Sequence, residues 1–244
     1  MIRSASVILR YIRESILSLF SPKVCILCDS LIFDQSRSSV CSLCYSKIIF
    51  IDEISDRKIC EKCSLPYDGF CVDCSETKMN FDKLFSLFLY EDFGQKLIQE
   101  FKFKGKFFVI NDFKDKIRSK LSSVDFDIVV PVPSDTKKFV NRGYNTSYFI
   151  AKLISDIFRR KTVNLLLKRQ IKPSQLDLTR EERIENPKGA FSLKKSALIY
   201  KHKSVLLVDD VATTCSTLSE CTRVLREHFD CVWCFTLARA PSYL

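Results

Sequence analysis

Val205 to Thr217 reads VLLVDDVATTCST. Four apolar residues in a row predict a buried strand over Ser204 to Val208, and two acids, Asp209 and Asp210, stand at its end. A short loop rich in hydroxyls follows and enters a helix expected over Ser216 to Phe229. Backbone amides at such a helix N-terminus, joined by the side chains of Thr213, Thr214, Ser216 and Thr217, make a seat for a phosphate. Two carboxylates at the strand's end repel that phosphate unless they face something else. Ribose hydroxyls, which donate hydrogen bonds to carboxylates, suit that position. The plainer alternative is that Asp209 or Asp210 caps the helix and the threonines are ordinary first-turn residues. Both readings fit these residues taken alone.

Outward from this run, Cys231 to Leu237 reads as another strand, Phe81 to Tyr90 as a strand-like run, and Phe126 to Val132 as a buried strand closed by Pro131 and Pro133. Gly94 to Phe108 looks helical and ends in a basic, aromatic-rich turn. Thr146 to Arg160 has helical spacing, with Phe149, Ile150, Leu153, Ile154 and Ile157 on one face. Strand, helix, strand in this order predicts an α/β fold with a parallel sheet and right-handed crossovers. Pro131 to Pro133 lies at a strand's carboxyl end, where open α/β sheets place ligands, and Arg142 is near enough in sequence to face a diphosphate. A surface salt bridge is the alternative for Arg142. Lys172 to Phe191 is polar and carries Pro173, Pro187, Arg180 and Arg183, so it reads either as a flap over a ligand or as a plain surface loop.

The N-terminal part is of another kind. Cys25/Cys28, Cys41/Cys44, Cys60/Cys63 and Cys71/Cys74 are four C-x-x-C pairs separated by 12, 15 and 7 residues. A C-x-x-C turn aims two sulfurs at one point, and two such turns complete the tetrahedral thiolate shell that zinc prefers. Eight thiolates suit two closed structural sites, which support folding rather than catalysis. Chain order groups Cys25, Cys28, Cys41 and Cys44 at one ion and Cys60, Cys63, Cys71 and Cys74 at the other, with a crossed pairing left open. A disulfide framework and redox-active pairs are the competing readings. A fifth pair, Cys231 and Cys234, falls on a strand, where residues three apart face opposite ways, and both are expected in the core. No internal repeat longer than the cysteine pairs is visible.

The chain has 244 residues with 46% hydrophobic and 28% charged side chains, a globular balance that excludes a mostly disordered or low-complexity chain. Its net charge of +10 falls wholly after residue 80, because residues 1–80 hold 10 Lys and Arg against 10 Asp and Glu. A basic body suits phosphate-bearing partners, small or polymeric. Lys102, Lys104 and Lys106 alternate with Phe101, Phe103, Phe107 and Phe108. This is a candidate contact for single-stranded nucleic acid, or else a solvated helix end with core phenylalanines. No apolar run reaches the length of a membrane span. Residues 1–22 are expected as an amphipathic helix rather than a targeting segment. The chain then divides into that helix, a cysteine-rich unit over 23–78 and an α/β domain over 79–244.

The 205–217 run resembles the phosphoribosyl diphosphate (PRPP) signature of type I phosphoribosyltransferases: four apolar residues, two acids, two small or apolar residues, and a Thr-Thr-Gly-x-Thr loop. It departs at Cys215, where that family generally has glycine. Phe101-Lys102-Phe103-Lys104-Gly105, Val130 to Pro133, Asn141-Arg142-Gly143-Tyr144-Asn145, Gln175-Leu176, Asn186 and Gly189-Ala190-Phe191 follow in one order behind the cysteine pairs. Together they resemble the ComF family, competence proteins with a double zinc ribbon joined to a phosphoribosyltransferase domain. The resemblance implies a type I phosphoribosyltransferase-like sheet and PRPP held by Asp209, Asp210, Ala212, Thr213, Thr214, Cys215, Ser216, Thr217 and Arg142. Asp209 and Asp210 would be the catalytic acids, Mg²⁺ would arrive with PRPP, and zinc would fill the cysteine sites. It further implies a cytoplasmic protein assisting uptake or processing of transforming single-stranded DNA, with DNA-uptake proteins as partners. Two other readings stand beside it: an active phosphoribosyltransferase acting on an unidentified nitrogen base, and a zinc-ribbon interaction scaffold with an inert PRPP site. Glycine accepts a left-handed backbone freely, whereas Cys215 strains or reshapes the loop.

Overall fold

The cysteine-rich part is built twice on one plan. β1 (Lys23–Val24) and β2 (Leu31–Ile32) form an antiparallel hairpin followed by the one-turn helix α1 (Ser42–Tyr45). β3 (Lys58–Ile59) and β4 (Pro66–Tyr67) form a second hairpin followed by α2 (Val72–Glu76). In each half the first cysteine pair lies between the strands and the second pair at the helix. The repeat is therefore a whole hairpin-helix unit, longer than the cysteine pairs from which the sequence could show it. The halves share little besides their cysteines, which is why it is not visible in the sequence.

The rest is β5 (Leu84–Leu89), α3 (Asp92–Lys104), a 3₁₀ segment (Phe107–Phe113), α4 (Lys114–Lys120), β6 (Ile128–Pro131), α5 (Thr146–Phe158) and β7 (Lys161–Thr162). The hairpin β8 (Leu166–Lys168) with β9 (Phe191–Leu193) follows, then β10 (Ser204–Ala212), α6 (Ser216–Leu225) and β11 (Cys231–Arg239). The computed structural model describes residues 23–32, 38–76, 78–135, 139–140, 142–169 and 189–241. The helix expected over 1–22, Asn141, and the 172–188 part of the expected flap with Arg180 and Arg183 lie outside the described residues. Among the described residues no helix is long and apolar enough to cross a membrane.

The central sheet has the order β5-β11-β10-β6-β7, with every pairing parallel. Val205 to Val208 in its middle strand are fully buried, as a continuous apolar run in a doubly covered parallel sheet should be. β10 does not stop before the acids, as the sequence suggests, but runs on through Asp209 and Asp210 to Ala212. The reason is one-sided pairing. β11 accompanies it to the end, with Asp209 opposite Thr236 and Ala212 opposite Arg239, whereas the β6 ladder ends with Pro131 opposite Val208.

One face of the sheet packs on α3, α4 and α5 through residues such as Ile98, Phe101, Ile117 and Ile150. The other packs on α6 through Leu218, Cys221, Val224 and Leu225. Connections therefore leave β6 and β10 toward opposite faces, and the crevice between their carboxyl ends is the switch point at which open α/β sheets bind ligands. Gly94 lets α3 lie against β5: a Cβ there would stand 2.2 Å from the Leu89 carbonyl oxygen. The cysteine-rich halves join the two cores separately. Cys25, Cys44, Ile48 and Phe50 pack with the α3–α5 face, and Cys63 and Leu65 with the α6 face. Cys234 is buried as expected, but Cys231 at the start of β11 is exposed, a correction to its expected place in the core. Alternation along the strand turns one sulfur inward and the other out.

Candidate functional site

α5 is the next of these elements after β6, reached through residues 132–145, and its start is fixed by Asn145. The Asn145 side chain accepts from Ser147 N at 3.1 Å and donates to the Val132 carbonyl at 2.9 Å, tying the helix cap to the strand end. This places the first-turn hydroxyls against the acids of β10. Thr146 Oγ1 donates to Asp210 at 2.5 Å, and Ser147 Oγ donates to Asp209 at 2.7 Å. Across the crevice Lys102 Nζ, from the last turn of α3, lies 2.8 Å from Asp210 Oδ1. The Tyr144 hydroxyl donates to the Lys102 carbonyl at 2.9 Å and fixes that turn.

The two carboxylates are unequal. Asp210 is buried and directly ion-paired. Desolvation and the charge of Asp210 push the Asp209 carboxyl from 3.8 up to about 7, against the opposing pull of the Ser147 hydrogen bond and the Lys102 ammonium. A carboxyl in that range changes its charge near neutrality.

Past Ala212 the chain turns at Cys215, whose φ of 59° and ψ of 3° are left-handed, and α6 starts at Ser216. This is the conformation that glycine adopts at least cost, and a cysteine holds it here with its side chain buried. Thr214 Oγ1 and Ser216 Oγ lie 2.9 Å apart at the helix start. Acids, hydroxyl loop and helix N-terminus are thus gathered at one end of β10. The capping alternative fails for the acids, because the residue before α6 is Cys215 and the carboxylates bond to α5.

Arg142 is half-buried and stacks its guanidinium 4.6 Å from the Phe103 ring, beside the α3 turn that carries Lys102. Of the lysines named as nucleic-acid candidates, Lys102 pairs with Asp210, while Lys104 and Lys106 both pair with Glu100, at 2.5 and 2.8 Å. Phe101 is buried, Phe107 stacks on Phe149 at 3.8 Å, and Phe103 and Phe108 are exposed.

The cysteines form two clusters in chain order: Cys25, Cys28, Cys41 and Cys44, and Cys60, Cys63, Cys71 and Cys74. In each, the sulfurs lie within 4.8 Å of one another. All eight are free thiols. A zinc tetrahedron with Zn–S near 2.3 Å has edges of roughly 3.8 Å. Cys28 and Cys41 stand 3.8 Å apart, Cys60 and Cys74 3.7 Å, and Cys63 and Cys71 3.4 Å. The donor sets therefore fit an ion held tetrahedrally by four thiolates, and the sulfurs are gathered in the chain-order grouping rather than the crossed one.

Three features were not anticipated from sequence. Thr146 and Ser147 read only as a helix start, and Lys102 as a candidate nucleic-acid contact or a solvated helix end rather than a partner of Asp210. Arg239, at the end of β11, is fully buried among the second cluster and the 212–213 backbone. The neighbouring Gly-Tyr-Asn run before α5 was the one signal that the hydroxyls follow a turn.

No family model matches the chain. It is 28% identical over 207 residues to "Competence protein F" of Haemophilus influenzae, covering 79% of this chain and 86% of that protein. It is 27% identical over 225 residues to "Competence protein ComFC" of Bacillus subtilis, covering 84% and 89%. The chain is thus homologous to ComF-type proteins.

Proposed function

We propose that the crevice between β6 and β10 binds PRPP with Mg²⁺ and that the chain is a ComF-like competence protein, using this site in the uptake or processing of transforming single-stranded DNA. The observation that carries the ligand reading is the pairing of Asp209 and Asp210 with a hydroxyl-lined loop and a helix N-terminus at a sheet switch point. The acids accept from the ribose hydroxyls, while the 212–217 backbone and the Thr213, Thr214, Ser216 and Thr217 side chains surround the 5′-phosphate. Mg²⁺ arrives on the diphosphate, where it neutralises charge, and Arg142 and Lys102 supply fixed positive charge at the same end of the sheet.

Before ligand enters, Lys102 offsets part of the repulsion between the two acids, and Thr146 and Ser147 hold their oxygens in place. Zinc in the two cysteine clusters supports the fold and takes no part in the chemistry at the crevice. The homology to competence proteins supports the biological role, and the basic body is compatible with a single-stranded DNA partner.

Calorimetry of the zinc-loaded protein with PRPP and Mg²⁺ tests the reading. Saturable binding that Asp209→Asn with Asp210→Asn abolishes supports it, and no heat for the wild type refutes it. Salt-sensitive binding to single-stranded DNA and reduced DNA uptake on deletion test the second half. A phosphoribosyltransferase activity toward a nitrogen base is the second reading, favoured by carboxylates placed to stabilise a ribose acquiring positive character. Release of pyrophosphate on adding bases to the PRPP complex would establish it.

A further inference from the structure

Arg239 joins the second cysteine cluster to the loop proposed to seat the phosphate. On the cluster side its Nε donates to the Cys63 carbonyl at 3.0 Å, and its Nη2 pairs with the Asp73 carboxylate and stands 3.9 Å from the Cys63 sulfur. Asp73 lies between Cys71 and Cys74, so the one guanidinium grips both C-x-x-C turns of that cluster. On the loop side Nη1 donates to the carbonyls of Ala212 at 3.2 Å, of Thr213, and of Ala240 at 2.9 Å. Ala212 and Thr213 are the residues that lead from the acids into the loop. Among the described residues the first cysteine cluster shows no comparable link: it packs with the opposite face of the sheet.

We infer that Arg239 is a positioning residue that makes metal occupancy of the Cys60, Cys63, Cys71 and Cys74 cluster and ligand binding at the 212–217 loop depend on each other. The inference rests on the PRPP reading of the loop. A guanidinium is a planar, rigid fork, and a fully buried one cannot drop a partner without leaving an uncompensated charge. When the metal leaves, the two cysteine turns separate, Cys63 and Asp73 move, and the arms holding Ala212 and Thr213 lose their anchor. By linkage the coupling is reciprocal: ligand on the loop holds the metal as firmly as metal holds the loop for ligand.

The test replaces zinc with ¹¹³Cd, which gives one resonance per cluster, and titrates the full chain with PRPP and Mg²⁺ while calorimetry follows binding. Cys28→Ser identifies the first resonance by its loss. The expected result is that PRPP moves the second resonance and leaves the first in place. In Arg239→Lys both metals stay bound, affinity falls about tenfold, and the shift disappears. Asp73→Asn, which keeps the arginine, serves if the lysine variant does not fold, and it too should lose the shift. PRPP bound with neither resonance moving, or a full shift in the folded variants, overturns the inference.

Failure of PRPP to bind the wild type would instead refute the ligand reading, and hydrogen exchange then decides the link by itself. Cys74→Ser should speed amide exchange over residues 212–219, and Cys28→Ser should not. Equal exchange in the two variants overturns the inference without any ligand.

Discussion

Replacing Asp209 by Asn should stabilise the ligand-free protein, and more so as pH rises. In the folded chain the Asp209 carboxyl is raised from 3.8 to about 7 by desolvation and by the neighbouring Asp210 charge. A raised acid pKa means that the folded state holds its proton more tightly than the unfolded one. Below the unfolded value both states are protonated and nothing is lost. Stability then falls as pH rises through the interval from about 4 to about 7, and the full penalty persists above it. At about 1.4 kcal/mol per pH unit the whole interval is worth at most about 4 kcal/mol. Contact with solvent and the sharing of charge with Asp210 and Lys102 reduce this to about 1 to 2 kcal/mol. Asn keeps an acceptor for Ser147 and removes the charge. Urea denaturation of metal-loaded wild type and Asp209→Asn, compared pair by pair between pH 5.5 and 8.5, measures the difference with any metal effect common to both. The variant should be more stable by about 1 to 2 kcal/mol at pH 8 and by roughly half that at pH 5.5. A variant less stable than wild type at pH 8, or a difference that does not change with pH, would refute the argument.

Affinity for PRPP with Mg²⁺ should move the other way, rising with pH through about 7 as Asp209 ionises, and calorimetry across pH 6 to 8 reads this directly. Lys102→Met removes the cation that holds the Asp209 carboxyl down, so the same profile should shift to higher pH, and an unmoved midpoint would exclude Lys102 from the site. Elemental analysis should find two zinc ions per chain, falling to one in Cys28→Ser and to one in Cys74→Ser. Gly94→Ala drives a methyl into the Leu89 carbonyl and should destabilise by about 3 kcal/mol in denaturant titration. At Cys215 a comparison of Gly and Ala isolates the backbone, and the glycine variant should be the more stable by about 1 kcal/mol, because only it adopts φ of 59° without strain.

The central strands are legible in the sequence because burial on both faces makes them continuous apolar runs, Val205 to Val208 above all. The four N-terminal cysteine pairs are legible as metal knuckles because a C-x-x-C turn outside a strand aims two sulfurs at one point, whereas which pairs share a cluster is decided only by the fold that brings the turns together. What the strand pattern could not show is that β10 carries its acids inside a one-sided ladder, since that depends on where β6 ends and β11 does not. Lys102 and Asp210 are far apart in the chain, and a lysine among phenylalanines at a helix end carries no mark of its partner. Arg239 is the extreme case. Arginine is almost never fully buried unless paired, so the apolar texture of β11 gives no reason to look for one at its end. Its partners are main-chain carbonyls and one acid from the opposite end of the sequence.

The outer side of β5 has a consequence for handling the protein. Its free strand edge is closed by the cysteine-rich part: Leu84 N donates to the Lys62 carbonyl at 2.8 Å, Leu89 N donates to the Ile49 carbonyl at 2.9 Å, and Phe50 bridges Phe88. Lys62 lies within the turn of the second cluster, and Ile49 follows the helix of the first. The cysteine-rich turns therefore guard a sheet border against strand addition by another molecule, a role for which natural proteins otherwise use charges, bulges or prolines. A chelator that strips both clusters bares that border while the parallel sheet still stands. The apoprotein should self-associate through β5 at concentrations where the metal-loaded chain stays monodisperse, before any loss of sheet is seen by circular dichroism.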